Sequence, residues 1–235
     1  MSYIYNFNKE KCWYKKTCNK FNDPEHCNKS CIRYLEMDYL MFRSLVPEAK
    51  QYGIELVPEQ CDIKSFEFLN EIKNDIKNFV DNGENLYIFS SHFGNGKTSW
   101  AIKILTKFFN DIWSGNGFQT RGIFLHVPTF LTKIKSNIGM KDVEFEKMRE
   151  ELVTVDLVVW DDIASTGLSD FDHTNLLTYI DIRKMNDLAN IYTGNLNDDE
   201  PNRELSKALG NRLASRVWQD STLVELLGSD RRGSC

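Results

Sequence analysis

Ser91-His92-Phe93-Gly94-Asn95-Gly96-Lys97-Thr98 carries the residue types that bind a polyphosphate. Glycines at 94 and 96 let backbone N–H groups come close to phosphate oxygens. Lys97 suits the β- and γ-phosphates, and the Thr98 hydroxyl suits Mg²⁺. The spacing is that of a P-loop with one departure: Ser91 stands six residues before the lysine, where glycine is usual. Because the close approach to phosphate falls at Gly94 and Gly96, the expected nucleotide-binding set is Ser91, Gly94, Asn95, Gly96, Lys97, Thr98 and Ser99. A glycine-rich turn that binds nothing is the bland alternative, and the flanks argue against it. Leu86-Tyr87-Ile88-Phe89-Ser90 reads as a buried strand, while Ala101, Ile104, Leu105 and Phe108 recur at helical spacing. Strand, tight turn and helix put a helix N-terminus and its dipole against the phosphates.

A second group of chemical residues closes the run Val155-Asp156-Leu157-Val158-Val159-Trp160-Asp161-Asp162-Ile163. An apolar strand ending in two carboxylates is a Walker B arrangement. Asp161 would hold the Mg²⁺ shell and Asp162 would act as base or orient water. Alone, such an ending is often a surface turn; about sixty-five residues after a P-loop lysine it gains meaning. Asn195 follows the short strand Asn190-Ile191-Tyr192-Thr193, at the sheet edge where α/β proteins bind ligands. It would polarise the attacking water, with a plain turn asparagine as the competing reading. Arg212 and Arg216, at i and i+4, share a helix face that is either solvated or presents an arginine to a neighbour's γ-phosphate.

A third cluster is Cys12, Cys18, Cys27 and Cys31, within twenty residues. The spacers are polar, and so small a segment cannot fold on hydrophobic burial alone. Four thiolates suit a tetrahedral, structural Zn²⁺. His26 is an alternative ligand, and free thiols or a disulfide pair are the bland readings. Cys61 and Cys235 stand apart.

The elements that must position these groups follow from periodicity. A helix over 32–46 leaves the cysteines, with apolar residues on more than one face, to dock either on a partner or on the chain's own core. Pro47, Gly53 and Pro58 mark a connector. A helix over 65–80 ends at Asp81-Asn82-Gly83. Gly122 to Val127 is a strand with His126 at its end, its ring nitrogens satisfied locally. Leu131, Ile134 and Ile138 begin a helix that runs into an exposed charged segment over 141–151. Thr222 to Leu227 is the last strand. Lys133 and Lys135 are candidates for phosphate contact with DNA.

Composition sets the outer bounds. The chain has 235 residues, 41% hydrophobic and 27% charged, with net charge −5, enough for one α/β core and a small accessory region. No apolar run is long enough to span a membrane, and the first residues lack a secretory pattern, so a cytoplasmic setting with reduced thiols and no membrane partner is expected. The overall charge excludes a global field that attracts polyanions. The first forty residues are mildly basic, with seven Lys/Arg against five Asp/Glu.

Together the motifs Gly94-Asn95-Gly96-Lys97-Thr98, Trp160-Asp161-Asp162-Ile163, Tyr192-Thr193-Gly194-Asn195-Leu196, Leu209 to Arg216 and Gly228-Ser229-Asp230-Arg231-Arg232 resemble the AAA+ ATPase domain of bacterial and phage helicase loaders of the DnaC/DnaI type. The resemblance spans residues 86–232, and the cysteine cluster is similar to the zinc-binding, helicase-interacting region of DnaI-like members and their phage relatives. It implies an α/β, P-loop AAA+ three-layer fold with a parallel sheet of order 5-1-4-3-2. A small four-cysteine zinc module precedes it and no C-terminal lid follows the last strand, so no second sensor arginine is assigned. The implied division is 1–60, zinc-binding and helicase-interacting, and 61–235, the ATPase.

By the same resemblance, Lys97, Asp161, Asp162, Asn195 (sensor 1) and Arg216 (supplied in trans) are catalytic, with Arg212 less defined. Cofactors are ATP/ADP, Mg²⁺ and Zn²⁺. Partners are the hexameric replicative helicase, single-stranded DNA and further copies of the chain. The activity implied is slow ATP hydrolysis coupled to helicase delivery, in the host cytoplasm if phage-encoded. A transposition helper ATPase, which serves a transposase, shares the same core and is the alternative. A P-loop small-molecule kinase leaves Asn195 and the arginine helix without work. A non-catalytic blocker of a host helicase sits poorly with intact Lys97, Thr98 and Asp161.

Overall fold

In a computed structural model of the protein, described for residues 3–230 apart from 53, 141, 165–166 and 197–200, five parallel strands form one sheet. They are β1 (Asn85–Ser90), β2 (Gly122–His126), β3 (Leu157–Asp161), β4 (Ala189–Asn195) and β5 (Thr222–Glu225). The order is β2-β3-β4-β1-β5, which read from the β5 edge is 5-1-4-3-2. Side chains alternate across each strand. Leu86 and Ile88 of β1, with Leu157 and Val159 of β3, enter one core; Tyr87, Phe89, Val158 and Trp160 enter the other.

Helices cover both faces. The first core is closed by α1 (Ile32–Arg43), α2 (Ile63–Asn74), α3 (Ile76–Asp81) and α4 (Lys97–Ile112). The second takes α5 (Val127–Ser136), α6 (Val143–Leu152), α7 (Asp170–Met185), α8 (Pro201–Leu209) and α9 (Asn211–Trp218). Burial on both faces explains why the strands read as continuous apolar runs. Among the described residues, no helix is long and apolar enough to cross a membrane.

Several local expectations change. The helix expected over 65–80 is two helices, broken at Asp75, whose φ of −108° and ψ of 28° leave the helical region. The charged segment expected to be exposed over 141–151 is exposed on one side alone: Asp142 caps α6 by accepting from the Phe145 N–H at 3.1 Å, and Phe145 and Leu152 are buried. α7 carries a capping box in which Ser169 and Asp172 satisfy each other's backbone N–H groups. Gly210, at φ +72°, separates α8 from α9.

The N-terminal helix is part of the same body as the sheet. Met37, Leu40 and Met41 of α1 are fully buried in the same core as Phe108 and Phe109 of α4. The Ser44 carbonyl accepts from the Phe124 N–H of edge strand β2 at 2.7 Å. Arg43 makes a two-pronged pair with Glu151 at 2.5 and 2.6 Å. The hydrophobic core therefore runs unbroken across the connector near residue 60.

Arg183 is fully buried and staples the sheet to α7. It donates to Asn190 Oδ1 at 2.7 Å, to the Leu152 and Val155 carbonyls at 2.8 Å each, and to the Ala189 carbonyl at 2.6 Å. Burial pulls its pKa down to about 10, so it remains a cation at neutral pH, held by carbonyl dipoles.

Candidate nucleotide site

β1 ends at Ser90 in the middle of the sheet, and the chain turns through 91–96 into α4. The left-handed conformations of this turn fall at Gly94 (φ +70°) and Gly96 (φ +106°), where glycine adopts them without steric cost. Ser91 is not among the positive-φ residues, which is why serine serves there. The N-terminus of α4 has no side-chain cap, the setting in which the first backbone N–H groups of a helix take an anion.

The loop is braced from inside. Asn95 is fully buried; its Nδ2 donates to Ser90 Oγ and to the Leu226 carbonyl, the latter at 3.0 Å. Ser90 Oγ also accepts from the His92 N–H at 2.9 Å. Lys97 Nζ donates to the His92 carbonyl at 2.8 Å and to Asn95 Oδ1 at 3.2 Å. A bound phosphate would take the place of these acceptors. Asn95 is thus a brace of the loop. Ser91 is exposed and Ser99 half-buried.

One chain of hydrogen bonds joins three elements at the carboxyl edge. The Thr98 hydroxyl of α4 donates to Asp161 Oδ1 at 2.7 Å. The Thr193 hydroxyl of β4 donates to the same oxygen at 2.8 Å and accepts from the Asp162 N–H at 3.0 Å. Asn195 Nδ2 donates to Asp162 Oδ1 at 3.2 Å. Asp162 sits at φ +62°, a strained setting of the kind that collects at functional sites. His126 Nε2 lies 3.9 Å from Asp162 Oδ2, while its Nδ1 meets Thr129 Oγ1 at 2.8 Å. Asn195 Oδ1 is buried without a hydrogen-bond partner among the described residues.

These donors fit a nucleotide with Mg²⁺. Thr98 and Asp161 would hold the ion, and the loop N–H groups with Lys97 would hold the phosphates. Lys97, Thr98, Asp161, Asp162 and Asn195, named from sequence, are brought together. Thr193 was missed. Its signal was available: it lies two residues before Asn195, hence on the same face of the strand.

Arg216 does not join the cluster. Its Nε pairs with Asp181 of α7 at 2.7 Å and its Nη1 lies 3.7 Å from Asp220. Arg212 shares Asp181, at 2.9 Å, from a more exposed position. Lys135 pairs with Asp172 at 2.7 Å and Lys133 stands 4.9 Å over the Phe145 ring, so both DNA-contact candidates already have partners within the chain. Arg231 and Arg232, in the last resemblance motif, lie outside the described residues, as does Cys235.

The four-thiolate zinc centre is not formed. Among the described residues, no group of three or more His, Cys, Asp or Glu is arranged to hold a metal. Cys12 and Cys18 instead pack against the core that holds Tyr14. Burial pushes the Cys12 thiol up, and the charges of Cys31, Cys27 and Cys18 add to that push. His26 turns to Asp23, Nδ1 to Oδ2 at 2.7 Å.

A strap that sequence reasoning missed holds the segment after β5. Asp62, fully buried, accepts from the Leu227 N–H at 2.7 Å and the Gly228 N–H at 3.2 Å. Glu59 accepts from the Ser229 N–H at 2.9 Å. A Cβ on Gly228 would stand 2.5 Å from Asp62 Oδ2, which accounts for glycine there.

No protein-family model matches the chain, and no curated protein matches it. Solved structures do. The DnaC helicase loader aligns with a TM-score of 0.62 at 17% identity, over 77% of this chain and 99% of its own. DnaI aligns at 0.55 and 16%, over 77% and 94%. DnaA from Aquifex aeolicus, bound to AMPPCP, aligns at 0.58 and 16%, over 78% of this chain and 51% of its own, about half that protein's length. At such identities the likeness is one of fold. The chain has the α/β, parallel-sheet fold that the DnaC helicase loader and DnaI share with DnaA.

Proposed function

We propose that this chain is an ATP-dependent loader of the replicative DNA helicase. The observation that carries the reading is the bonded series Thr98, Asp161, Thr193, Asp162 and Asn195 beside a P-loop, set in the fold of DnaC and DnaI. In the finer reading, Lys97 holds the phosphates, Thr98 and Asp161 hold Mg²⁺, and Asp162 with Asn195 orients the attacking water. Mg²⁺ supplies charge neutralisation on the phosphates. An Asp-Asp pair in place of Asp-Glu fits a slow switch. DnaC is named a helicase loader, and DnaA has been seen with AMPPCP and single-stranded DNA, so we extend to this chain a hexameric helicase as protein partner and single-stranded DNA as substrate, in the cytoplasm of a bacterial host.

Self-association through Arg216 in trans requires that a neighbouring copy draw this arginine away from Asp181. A structural Zn²⁺ on Cys12, Cys18, Cys27 and Cys31 is a further part of the proposal; it rests on the spacing of the four cysteines in sequence and requires the thiols, which are not gathered at one point in the structure, to draw together around the ion. Elemental analysis of the purified protein tests it: one equivalent sustains zinc, none removes it.

The decisive experiment uses the full chain. Binding of a fluorescent ATP analogue, phosphate release with and without single-stranded DNA, and capture of the purified helicase are measured for wild type and Lys97→Ala. Wild type is expected to bind ATP and capture the helicase, and the variant to lose nucleotide binding at least about a hundredfold, the loss of a charge-assisted contact or more. Capture of a transposase in preference to the helicase would turn the reading to the transposition helper. Absence of ATP binding by a folded wild-type chain would sink both.

A further inference from the structure

A cavity of about 1000 Å³ lies between the N-terminal arm, α1 and α6, and shares no residue with the nucleotide cluster. One wall is aromatic, formed by Tyr3, Tyr34, Phe42 and Tyr52. Trp13 backs it, stacked on Tyr52 with ring centroids 4.9 Å apart and tilted against Tyr34 at 5.5 Å. Tyr3 leans on Phe42 at 5.2 Å.

Asp38 is set into this wall. The Tyr3 hydroxyl donates to its Oδ2 at 2.8 Å, and burial pushes its carboxyl above the usual range. Among the described residues no cation pairs with it. The basic side chains of the cavity are otherwise engaged: Lys11 with Glu48 at 2.6 Å, Arg43 with Glu151 at 2.5 Å, and Lys133 over the Phe145 ring. Lys147 completes the basic lining, and Asp142 and Glu144 complete the acidic. The ring faces already accept a cation from within the chain, since Lys11 Nζ stands 5.9 Å from the Tyr52 centroid.

A half-buried carboxylate beside ring faces is complementary to an organic cation. The carboxylate supplies the counter-charge, and the rings take the flat face of the ligand. Guanidinium fits best: it is planar, weakly hydrated, stacks on rings and meets a carboxylate with two parallel N–H groups. A nucleic-acid strand would bring its phosphates against five acidic side chains, Asp38, Glu48, Asp142, Glu144 and Glu151. The volume also exceeds what a lone ion needs, and suits a side chain delivered on a polypeptide. We propose that this cavity receives an arginine side chain of a protein partner, with Asp38 as counter-ion and the partly exposed Tyr52 ring as stacking face, held in place by the buried Tyr34 and by Trp13. The proposal stands whether or not the nucleotide reading holds.

The test titrates the full chain by calorimetry with acetyl-Gly-Arg-Gly-amide and with its citrulline counterpart, which keeps the shape and removes the charge. Saturable binding of the arginine peptide is expected. The citrulline peptide should bind about ten- to hundredfold more weakly, the range of a charge-assisted hydrogen bond. Asp38→Asn should weaken the arginine peptide by a similar factor. Equal binding of the two peptides, no saturable binding by wild type, or unchanged affinity in Asp38→Asn would overturn the proposal. If Asp38→Asn does not fold, the peptide pair on wild type and a Tyr52→Leu variant, expected to lose affinity for arginine alone, decide the matter.

Discussion

Thr193 does two jobs with one hydroxyl. It donates to Asp161 and accepts from the Asp162 N–H, so it sets the direction of one carboxylate and the backbone of the other. Replacing it with valine keeps shape and burial while removing both contacts. Thr193→Val is expected to retain ATP binding within about threefold and to lose hydrolysis by about ten- to hundredfold, as lost positioning contacts of this strength do. A fluorescent-nucleotide titration alongside a phosphate-release assay separates the two effects. Equal losses in binding and turnover would mean that Thr193 holds the ground state alone.

The capping box of α7 and the strap after β5 make predictions about elements. Asp172 is drawn in two directions: burial raises its pKa, and hydrogen bonds from Lys135 and Ser169 lower it, with a lowered net result. A carboxyl whose folded pKa is depressed stabilises the fold above its unfolded pKa of about 4 and loses that contribution as pH falls toward the folded value. The difference in urea midpoint between wild type and Asp172→Asn should therefore be largest near neutrality and shrink below about pH 4. A difference that grew with acid would contradict the assignment. At the strap, Asp62→Ala leaves the buried Gly228 N–H and the part-buried Leu227 N–H without their acceptor, an expected loss of about 1–3 kcal/mol for the buried group. Thermal denaturation reads it, and because the Leu226 carbonyl also braces Asn95, ATP affinity should fall with it.

The larger assembly of parts departs from two independent units. α1 lends Met37, Leu40 and Met41 to the core beneath the sheet, and each such burial is worth about 1.5–3 kcal/mol. Their sum is comparable to a domain's entire stability of about 5–15 kcal/mol. A chain restricted to 61–235 is therefore expected to expose this surface, bind a hydrophobic dye and lose its cooperative melt. A cooperative transition close to that of the full chain would show the 61–235 segment to be self-sufficient. The same continuity gives a partner held at the N-terminal face a physical route to β2 and its neighbours, through the Ser44–Phe124 bond and the Arg43–Glu151 pair.

The P-loop, the strand ending in Asp161-Asp162 and the strand before Asn195 were legible because each is a run of neighbouring residues. Glycine placement, strand burial and helical spacing are local properties, and local periodicity reports them. The strand order came from motif resemblance, not from periodicity. What lay outside local reach needed the folded chain. Asp62 meets Leu227 across 165 residues, Arg43 meets Glu151 across 108, and Arg216 finds Asp181 across 35. The cysteine spacing permitted a metal centre, yet Cys12 and Cys18 settled against the apolar core. Residues distant in sequence meet only when the sheet and both helical layers close, and that closure chose the partners of Asp62, Thr193 and Arg216.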